Sequence, residues 1–532
     1  MNNAATADEA AEMGGTSSLK KSPSHEKSSH DGMKDTMEGE VDEFAIQINE
    51  STPFKKDMGW LSILAAGFNV NNSWLVIAAT MTISLSYGPM NTVWGILAIT
   101  PVYICIALTL AELVSAYPTT GGQYHWTYMM APSSINKPMS YYCGFVSWLS
   151  WIGMSSSSAG AVMFCVYALI MNSDPSFTPK GWHSFLIFQA NNLLSLFVNL
   201  FGKKILPRYY SFGFILSVSA FLVFTVTTLV MQKTKQDSQV VWTMHNEFSG
   251  WPTGVQFLIA LAAPVVAFCP LDGAIHLVEE VKNAEKVVPR TILSALAISF
   301  GTSLVFILAM LYCISDFDAV LASPSGFPLF ELWSQATSTT TIPIVFTSIT
   351  MFLLPVGTIA CTQVASMMTW SLARDKGLAF DQYLTRINTQ LNAPIWALVV
   401  NASIMFLIGC LYLFSSLAYN SIVGVTVIFQ QITMAIPTAF LLYHKRSSEV
   451  LPVGRAFKVP SLIGWIANIV TVLFAILAVP VFLFPAVKNP TVTTMNYGIV
   501  VVAGALTIAV VNWFLFARTR FSGPLIASFG DH

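Results

Sequence analysis

Long apolar runs separated by short polar segments occupy the chain from about residue 60 to residue 520. A bilayer core about 30 Å thick is crossed by roughly 20 helical residues, and about twelve runs are that long. The pattern predicts helices at 60–84, 90–115, 139–171, 183–201, 208–231, 254–280, 290–314, 342–371, 394–416, 420–443, 462–485 and 496–517. The expected fold class is an all-α integral membrane protein with about twelve transmembrane helices.

The first 50 or so residues are rich in Ser, Glu, Lys, Gly and Ala and contain no apolar run. Such a composition cannot bury a core, so residues 1–58 are predicted to be a disordered tail. The membrane domain is then 59–520, and 521–532 form a second short tail.

Composition supports a membrane protein, because only 10% of the residues are charged and 54% are hydrophobic. A soluble domain carries about 25% charged residues, so an ordinary cytosolic enzyme is excluded. The formal net charge of −1 provides no basic face for nucleic acid. All seven cysteines lie in apolar stretches without CxxC spacing, so neither a metal site nor a disulfide framework nor a cofactor is expected.

The distribution of Lys and Arg predicts the orientation, because short cytoplasmic loops collect basic residues. If the N-terminal tail is cytoplasmic, only Lys180, Lys233, Lys235 and Lys488 fall on the other side. The remaining basic residues lie on the tail side, so we expect both termini to be cytoplasmic. A plasma-membrane location is the default expectation.

Two predicted helices are interrupted by polar residues or proline. In the first, GFNVNNSW (67–74) places three Asn and one Ser within an apolar run; in the sixth, Pro264 and CPLDG (269–273) break the pattern. These helices begin two successive five-helix sets, about 60–231 and 254–443, with two extra helices over 462–517. Matching breaks indicate an inverted-repeat transporter with its substrate site near the bilayer midplane.

Backbone groups freed at the two breaks are therefore candidates for binding a small polar solute. The alternative is that Asn and Ser join neighbouring helices and Pro only kinks one. The candidate substrate-binding residues are Phe68, Asn69, Asn71, Asn72, Ser73, Ala267, Phe268, Cys269, Leu271 and Asp272.

Ionisable residues within membrane helices are rare and usually functional. Asp272 is expected either to contact substrate or couple protons, or to cap the second half of its helix. His276, Glu279 and Glu280 follow at helical spacing and suggest a gate or proton relay, or alternatively a solvated helix end.

Glu112 ends the second helix and is either an interfacial carboxylate or the partner of a cytoplasmic arginine such as Arg374. The serines of SSSS (155–158) in the third helix are expected to allow close helix packing rather than to contact a ligand. Rings near the breaks offer an aromatic cage for a quaternary ammonium as a further hypothesis. They are Phe68, Trp74, Trp148, Trp151 and Phe268.

Several motifs resemble those of the amino acid/polyamine/organocation superfamily, and most closely its fungal amino acid and choline transporter family. They are GFNVNNSW (67–74), AELVSAYPTTGGQYHW (111–126), LDGAIHLVEEVKNAEKVVPR (271–290), WSLARDKGLAF (370–380) and MNYGIVVV (495–502). The resemblance covers about residues 60–520.

This resemblance implies a LeuT-like five-plus-five inverted repeat with two extra helices, alternating access, and uptake driven by protons. It also implies a contact between the 117–124 and 370–380 loops. The expected substrates are amino acids, GABA or choline, so the partners are a small solute, protons and the lipid bilayer.

Two functional classes other than a transporter are a membrane enzyme and a nutrient sensor. GxSxG, HEXXH and Walker motifs are absent from the sequence, which argues against a membrane enzyme. A nutrient sensor of the same fold, which binds without transporting, is the alternative function. Lysines in the tail (Lys20, Lys21, Lys27, Lys34) lie among serines and suggest regulation by ubiquitin or kinases.

Overall fold

The computed structural model describes residue 54 and residues 56–524. The tail predicted to be disordered therefore lies almost entirely outside the described residues, as do Lys20, Lys21, Lys27, Lys34 and residues 525–532. Within the described part, the chain is helical, with no strand and only isolated bridges at Met58–Val281 and Asn388–Ala393.

Twelve helices are long and apolar enough to cross a membrane, which confirms the predicted fold class. They are α1 (Trp60–Leu85), α2 (Pro89–Ala116), α3 (Asn136–Ser173), α4 (Gly181–Phe201), α5 (Leu206–Met231), α6 (Thr253–Glu280), α7 (Ala284–Cys313), α8 (Thr341–Arg374), α9 (Ile395–Leu413), α10 (Ser416–Tyr443), α11 (Ser461–Val481) and α12 (Gly498–Arg520). Short helices lie in the connections, at Gln123–Met130, Ser238–Thr243, Phe317–Leu321, Pro328–Thr337 and Asp381–Leu384.

Helix ends match the predicted ones within a few residues, and the start of α7 differs most, at Ala284 instead of 290. The helix begins directly after Asn283, whose φ of 50° is left-handed. Its first turn contains Glu285 and Lys286, which extend the helix beyond the apolar run. Hydropathy therefore locates the buried part of α7 but misses this polar first turn.

Only α1 and α6 are broken near their middle. α1 consists of Trp60–Asn71, Ser73–Ala79 and Met81–Leu85. α6 consists of two α-helical pieces, Thr253–Ala260 and Ala262–Phe268, followed by a 3₁₀ helix over Cys269–Glu280. Both interruptions fall where the polar residues and prolines predicted them.

The two described ends of the chain lie on one side of the helix bundle. The Phe54 ring centroid is 5.0 Å from that of Trp370, near the end of α8. Arg520 Nη2 lies 3.5 Å from Asp381 Oδ1, shortly after the same helix end. We call this side the termini face and the other side the opposite face.

Helices that are five apart in the sequence pack against each other: α1 on α6, α2 on α7, and α3 on α8. Because four spans lie between the members of each pair, the two members run in opposite directions. This arrangement is what an inverted repeat predicts, and it brings the two broken helices together.

Close packing of α3 on α10 depends on Gly153, because an added methyl group there would overlap the Thr426 side chain. Overpacking of this kind typically destabilises a protein by about 1–3 kcal/mol. We therefore expect Gly153→Ala to lower the melting temperature of the detergent-solubilised protein.

The matched control is Gly504→Ala in α12, where an added methyl group would meet no atom within 4 Å. Alanine there should leave stability unchanged or raise it, by at most about 1 kcal/mol. A Gly153→Ala variant that melts at or above the wild-type temperature would show that α3 and α10 are not tightly packed.

Candidate functional site

The break in α1 is centred on Asn72, which adopts φ 28° and ψ 52° and so leaves the helical path. Its side chain is anchored to α5, since Ser217 Oγ donates to Asn72 Oδ1 at 3.0 Å and Trp74 Nε1 donates to Ser217 Oγ at 3.0 Å. Helix ends leave carbonyls and amides without intrahelical partners. The carbonyl end of Trp60–Asn71 and the amide end of Ser73–Ala79 therefore meet at this residue.

The break in α6 lies next to it. Pro270 has non-helical dihedrals (φ −73°, ψ 27°) and provides no backbone donor. Ser73 Oγ donates to the Ala267 carbonyl at 2.7 Å and so joins the two interruptions directly. The structure thus brings the polar segments of two distant parts of the chain to one place.

A cavity of about 120 Å³ lies beside the two breaks. Its walls come from α1, α3, α6 and α8. The lining residues are Asn69, Val70, Asn72, Leu75, Val76, Ala79, Thr80, Met154, Ser157, Ser158, Ala161, Val266, Pro270, Leu353, Leu354, Gly357 and Cys361. Among these described residues, none is charged or aromatic, so the wall is apolar with a few amides and hydroxyls.

The cavity extends from the breaks toward the opposite face. Lining residues on that side, such as Val76, Thr80 and Leu354, are partly exposed. On the termini side, every residue of Cys269–Glu280 is buried. The conformation is therefore closed at the termini face.

The predicted substrate-binding residues divide into three groups. Asn69 and Asn72 line the cavity; in α6 the lining residues are Val266, just before the predicted positions, and Pro270, among them. Ser73 and Ala267 hold the breaks together through their hydrogen bond. The other candidates, all buried in the described part of the chain, do not line the cavity: Phe68, Asn71, Phe268, Cys269, Leu271 and Asp272.

The five candidate rings do not form a cage. Phe68 packs on Phe214 and Phe268 on Tyr103. Trp74 packs among Phe221, Phe224 and Phe306. Trp148 contacts Phe145 and Trp151 contacts His276, so each ring has its own neighbours away from the cavity.

Asp272 lies behind the cavity wall in a fully buried polar cluster. Gln123 Nε2 donates to its Oδ2 at 2.6 Å, and Gln430 Nε2 donates to Oδ1. His276 Nε2 lies 3.2 Å from Oδ2. The carboxylate thus contacts side chains from the segment after α2, from α10 and from its own helix. The helix-cap interpretation is wrong, since the helix start has no side-chain cap.

Glu279 and Glu280 close the termini face through ion pairs. Lys203 Nζ donates to Glu280 Oε1 at 2.6 Å, and Gln363 Nε2 donates to both oxygens of the same carboxylate. Arg374 Nη1 donates to Glu279 Oε1 at 3.1 Å. These contacts join the end of α6 to the α4–α5 connection and to α8.

Two further contacts cover this face. The amide of Met58, just before α1, donates to the Glu280 carbonyl at 3.1 Å. Asp375 Oδ2 lies 2.7 Å from both Tyr124 OH and His125 Nε2. The hydrogen bond from Tyr124 to Asp375 is the contact between the 117–124 and 370–380 loops that the family resemblance implies.

Glu112 is buried and belongs to a separate cluster. Its partners are Arg446, at 2.6 Å, and Arg455, at 2.7 Å, both beyond the end of α10. The predicted pairing of Glu112 with an arginine is therefore confirmed, but the partner is not Arg374, which contacts Glu279. Glu112 therefore fastens α2 to the α10–α11 connection.

Sequence reasoning missed several residues of the site. Ser157 and Ser158 line the cavity, although the sequence predicts helix packing rather than ligand contact for the serine run. Gln123 and Gln430 were not singled out, although two adjacent glutamines (Gln430 and Gln431) inside an apolar run signal a buried polar contact. Gly357 was missed too, because its closeness to the Asn69 carbonyl depends on how α8 is rotated.

Comparison with known proteins gives consistent matches. Residues 58–505 match the family described as amino acid permease. The chain is 32% identical over 482 residues to a choline transporter of Saccharomyces cerevisiae, covering 90% of this chain and 84% of that protein. It is 30% identical over 492 residues to a transmembrane transporter, swnT, of Metarhizium robertsii, covering 90% and 96% of the two chains. It is 24% identical over 489 residues to a GABA-specific permease of S. cerevisiae, covering 90% and 84%.

The Lys203–Glu280 pair provides a test of the closed termini face, because both side chains are at least 89% buried, with exposures of 11% and 5%. Removing one partner of a buried ion pair typically costs about 3–5 kcal/mol. We expect Lys203→Met and Glu280→Gln each to lower the free energy of unfolding by that order. The double variant should recover part of the loss, measured in a double-mutant cycle by thermal or denaturant unfolding.

Lys233→Met is the matched control, since Lys233 is exposed just beyond α5 on the opposite face. It should change stability by less than about 0.5 kcal/mol. Strictly additive effects of the two single substitutions would contradict a direct interaction between Lys203 and Glu280.

Proposed function

The chain belongs to the amino acid permease family and is a multi-pass membrane transporter, and we propose that it takes up amino acids, GABA or choline together with protons. The observation that carries the proposal is the cavity beside the two joined helix breaks. Its closure on one side and partial exposure on the other are what one state of an alternating-access carrier requires.

The chemistry of the breaks suits a solute with an amino or quaternary ammonium group. The carbonyl end of a helix carries about half a negative charge, and the amide end of the next carries about half a positive one. An ammonium is expected at the carbonyl end beside Asn69 and Asn72. A carboxylate, where the solute has one, is expected at the amide end that begins with Ser73.

The residues that line the cavity favour choline over amino acids as the transported solute. It contains no Lys or Arg that would pair with a carboxylate, whereas its apolar residues suit methyl groups and its hydroxyls suit a terminal alcohol. The choline transporter of S. cerevisiae is one of the more similar relatives. Because no aromatic ring lines the cavity in the described chain, recognition of the ammonium would rest on carbonyl and amide oxygens.

Release of solute requires the termini face to open. The contacts that must separate are Lys203–Glu280, Arg374–Glu279 and the Met58 amide bond to the Glu280 carbonyl. All three end on the last residues of α6. We propose that movement of this segment away from the α4–α5 connection and α8 opens the path.

The direction follows from the proposed orientation. Most Lys and Arg residues lie on the termini face, which therefore should be cytoplasmic. The cavity then opens outward, as uptake across the plasma membrane requires.

Competitive uptake tests this proposal in a permease-deficient yeast strain or in vesicles. Labelled choline, GABA and a neutral amino acid are each measured with and without a proton uncoupler. We expect saturable uptake that the uncoupler reduces at least tenfold, with choline the strongest competitor. Specific binding of these solutes without uptake of any would contradict transport and favour a sensor.

The volume of the cavity gives a second test. Ser157→Leu places an isobutyl group in a space of about 120 Å³ and should raise KM for the transported solute about tenfold, equivalent to about 1.4 kcal/mol. Ser157→Ala keeps the space open and should change KM less than threefold. A Leu variant with wild-type KM would place the substrate elsewhere.

A further inference from the structure

His276 has one ring nitrogen whose protonation is fixed by its neighbour. Its Nδ1 lies 2.8 Å from the carbonyl oxygen of Thr120. A carbonyl oxygen can only accept a hydrogen bond, so Nδ1 must carry the hydrogen. A neutral His276 would therefore have a bare lone pair on Nε2.

That second nitrogen faces Asp272. Nε2 lies 3.2 Å from Oδ2, and both side chains are completely buried. If the imidazole were neutral and the carboxylate ionised, two lone pairs would face each other without water. One additional proton must therefore lie between the two groups, as an imidazolium beside a carboxylate or an imidazole beside a carboxylic acid.

The surroundings provide no other compensating charge. Gln123 and Gln430 donate to the carboxylate but are neutral. Tyr103 of α2 and Cys269 of α6 interact electrostatically with Asp272, and a phenol and a thiol are uncharged near neutral pH. Tyr124 and His125 of the docked segment contact Asp375 instead.

Other elements packed on the pair add no charge to it either. The Trp151 ring of α3 meets the imidazole edge-on, with centroids 5.7 Å apart. The two carboxylates further along α6 already have cationic partners, Arg374 for Glu279 and Lys203 for Glu280. A buried ionised carboxylate without a counter-charge is strongly unfavourable, so the shared proton is what keeps the Asp272–His276 pair neutral.

The proton also holds a loop in place. Thr120 and Gln123, which contact His276 and Asp272, flank two glycines in the segment between α2 and α3. Gly122 has a φ of +52°, and a methyl group there would lie 2.9 Å from Ile275 Cγ2 and 3.5 Å from His276 Cε1. Only glycine thus allows the segment to approach the pair this closely.

We propose that Asp272 and His276 share one exchangeable proton, and that this proton is the coupled one because it fastens the 120–123 segment onto α6. On release, the proton passes to water and the net charge of the pair changes from 0 to −1. The single hydrogen left on the imidazole can then serve either the Thr120 carbonyl or Asp272 Oδ2, and the ionised carboxylate draws it to Nε2, so the bond from Nδ1 to the Thr120 carbonyl is lost. Because the pair is buried here, loss of the proton and departure of the segment occur together, which ties proton movement to opening of the termini face. The inference rests on the proposed transport function.

The test uses purified full-length protein in proteoliposomes with Asp272→Asn, His276→Gln and wild type. Two quantities are measured: counterflow of labelled choline, GABA or neutral amino acid, and substrate-dependent acidification reported by a pH-sensitive dye inside the vesicles. We expect both variants to keep counterflow within about threefold of wild type and to lose acidification at least tenfold. Asp318→Asn, which changes an exposed carboxylate near the opposite face, should behave as wild type.

A second readout does not depend on transport. The proton stabilises the docked segment, so raising the pH should lower the melting temperature of the wild type. Both variants should lose that part of the pH dependence, whereas Asp318→Asn should keep it.

The outcomes separate the two claims. If both variants still acidify the vesicles and their melting temperatures depend on pH as the wild type's does, the shared-proton proposal is overturned, but the proposed transport function is not affected. Wild-type uptake without acidification would also overturn the shared-proton proposal. If the wild type moves no solute but the variants lose the pH dependence of melting, the shared proton is supported and the transport proposal fails.

Discussion

Peptide groups inside a bilayer have no water to bond, and each unsatisfied N–H or carbonyl there costs several kcal/mol. The architecture of this protein depends on that constraint at two places, Asn72 in α1 and Pro270 in α6. Neither break faces lipid, because both are buried and because α1 and α6 pack on each other and are enclosed by α2, α5, α7 and α8. Ser73 satisfies the Ala267 carbonyl, and Ser217 fixes the Asn72 amide. Two interrupted helices are therefore stable in the bilayer only because the surrounding helices keep their unpaired backbone groups away from lipid.

The same enclosure explains why charge is concentrated at the end of α6. Four ionisable residues lie within its last nine positions, and each has a partner on another element or on α6 itself: Asp272, His276, Glu279 and Glu280. Buried ion pairs contribute little net stability because desolvation opposes their attraction, yet losing one partner is strongly unfavourable. Such pairs favour one arrangement of the helices over others that would leave a charge unpaired, although they add little to the stability of that arrangement. That property suits a face that has to open during each cycle.

Much of this organisation could be predicted from the sequence, and the limits have physical causes. Twelve spans follow from the length of apolar runs, and the breaks follow from Asn, Pro and Gly within two of them. The lining could not be predicted, because Ser157 reaches the cavity only through the rotation of α3 about its axis. Likewise Glu112 pairs with Arg446 and Arg455, which are more than 300 positions away and are brought near by the packing of α10 and α11. The hydrophobic periodicity of the sequence indicates which residues are buried, but it does not indicate which residues of other helices they contact.

The 3₁₀ geometry within Cys269–Glu280 also determines how far the chain extends from the break in α6 to the termini face. A 3₁₀ helix rises about 2.0 Å per residue and an α-helix about 1.5 Å. Cys269 and Pro270 belong to the kink, and the ten residues 271–280 that follow rise about 20 Å, where α-helical geometry would give about 15 Å. This stretched segment carries the chain from the midplane break to the level of Lys203 and Arg374. Conversion of these ten residues to α-helical geometry would shorten their reach by about 5 Å, so the helix can change the distance between the cavity and the membrane surface.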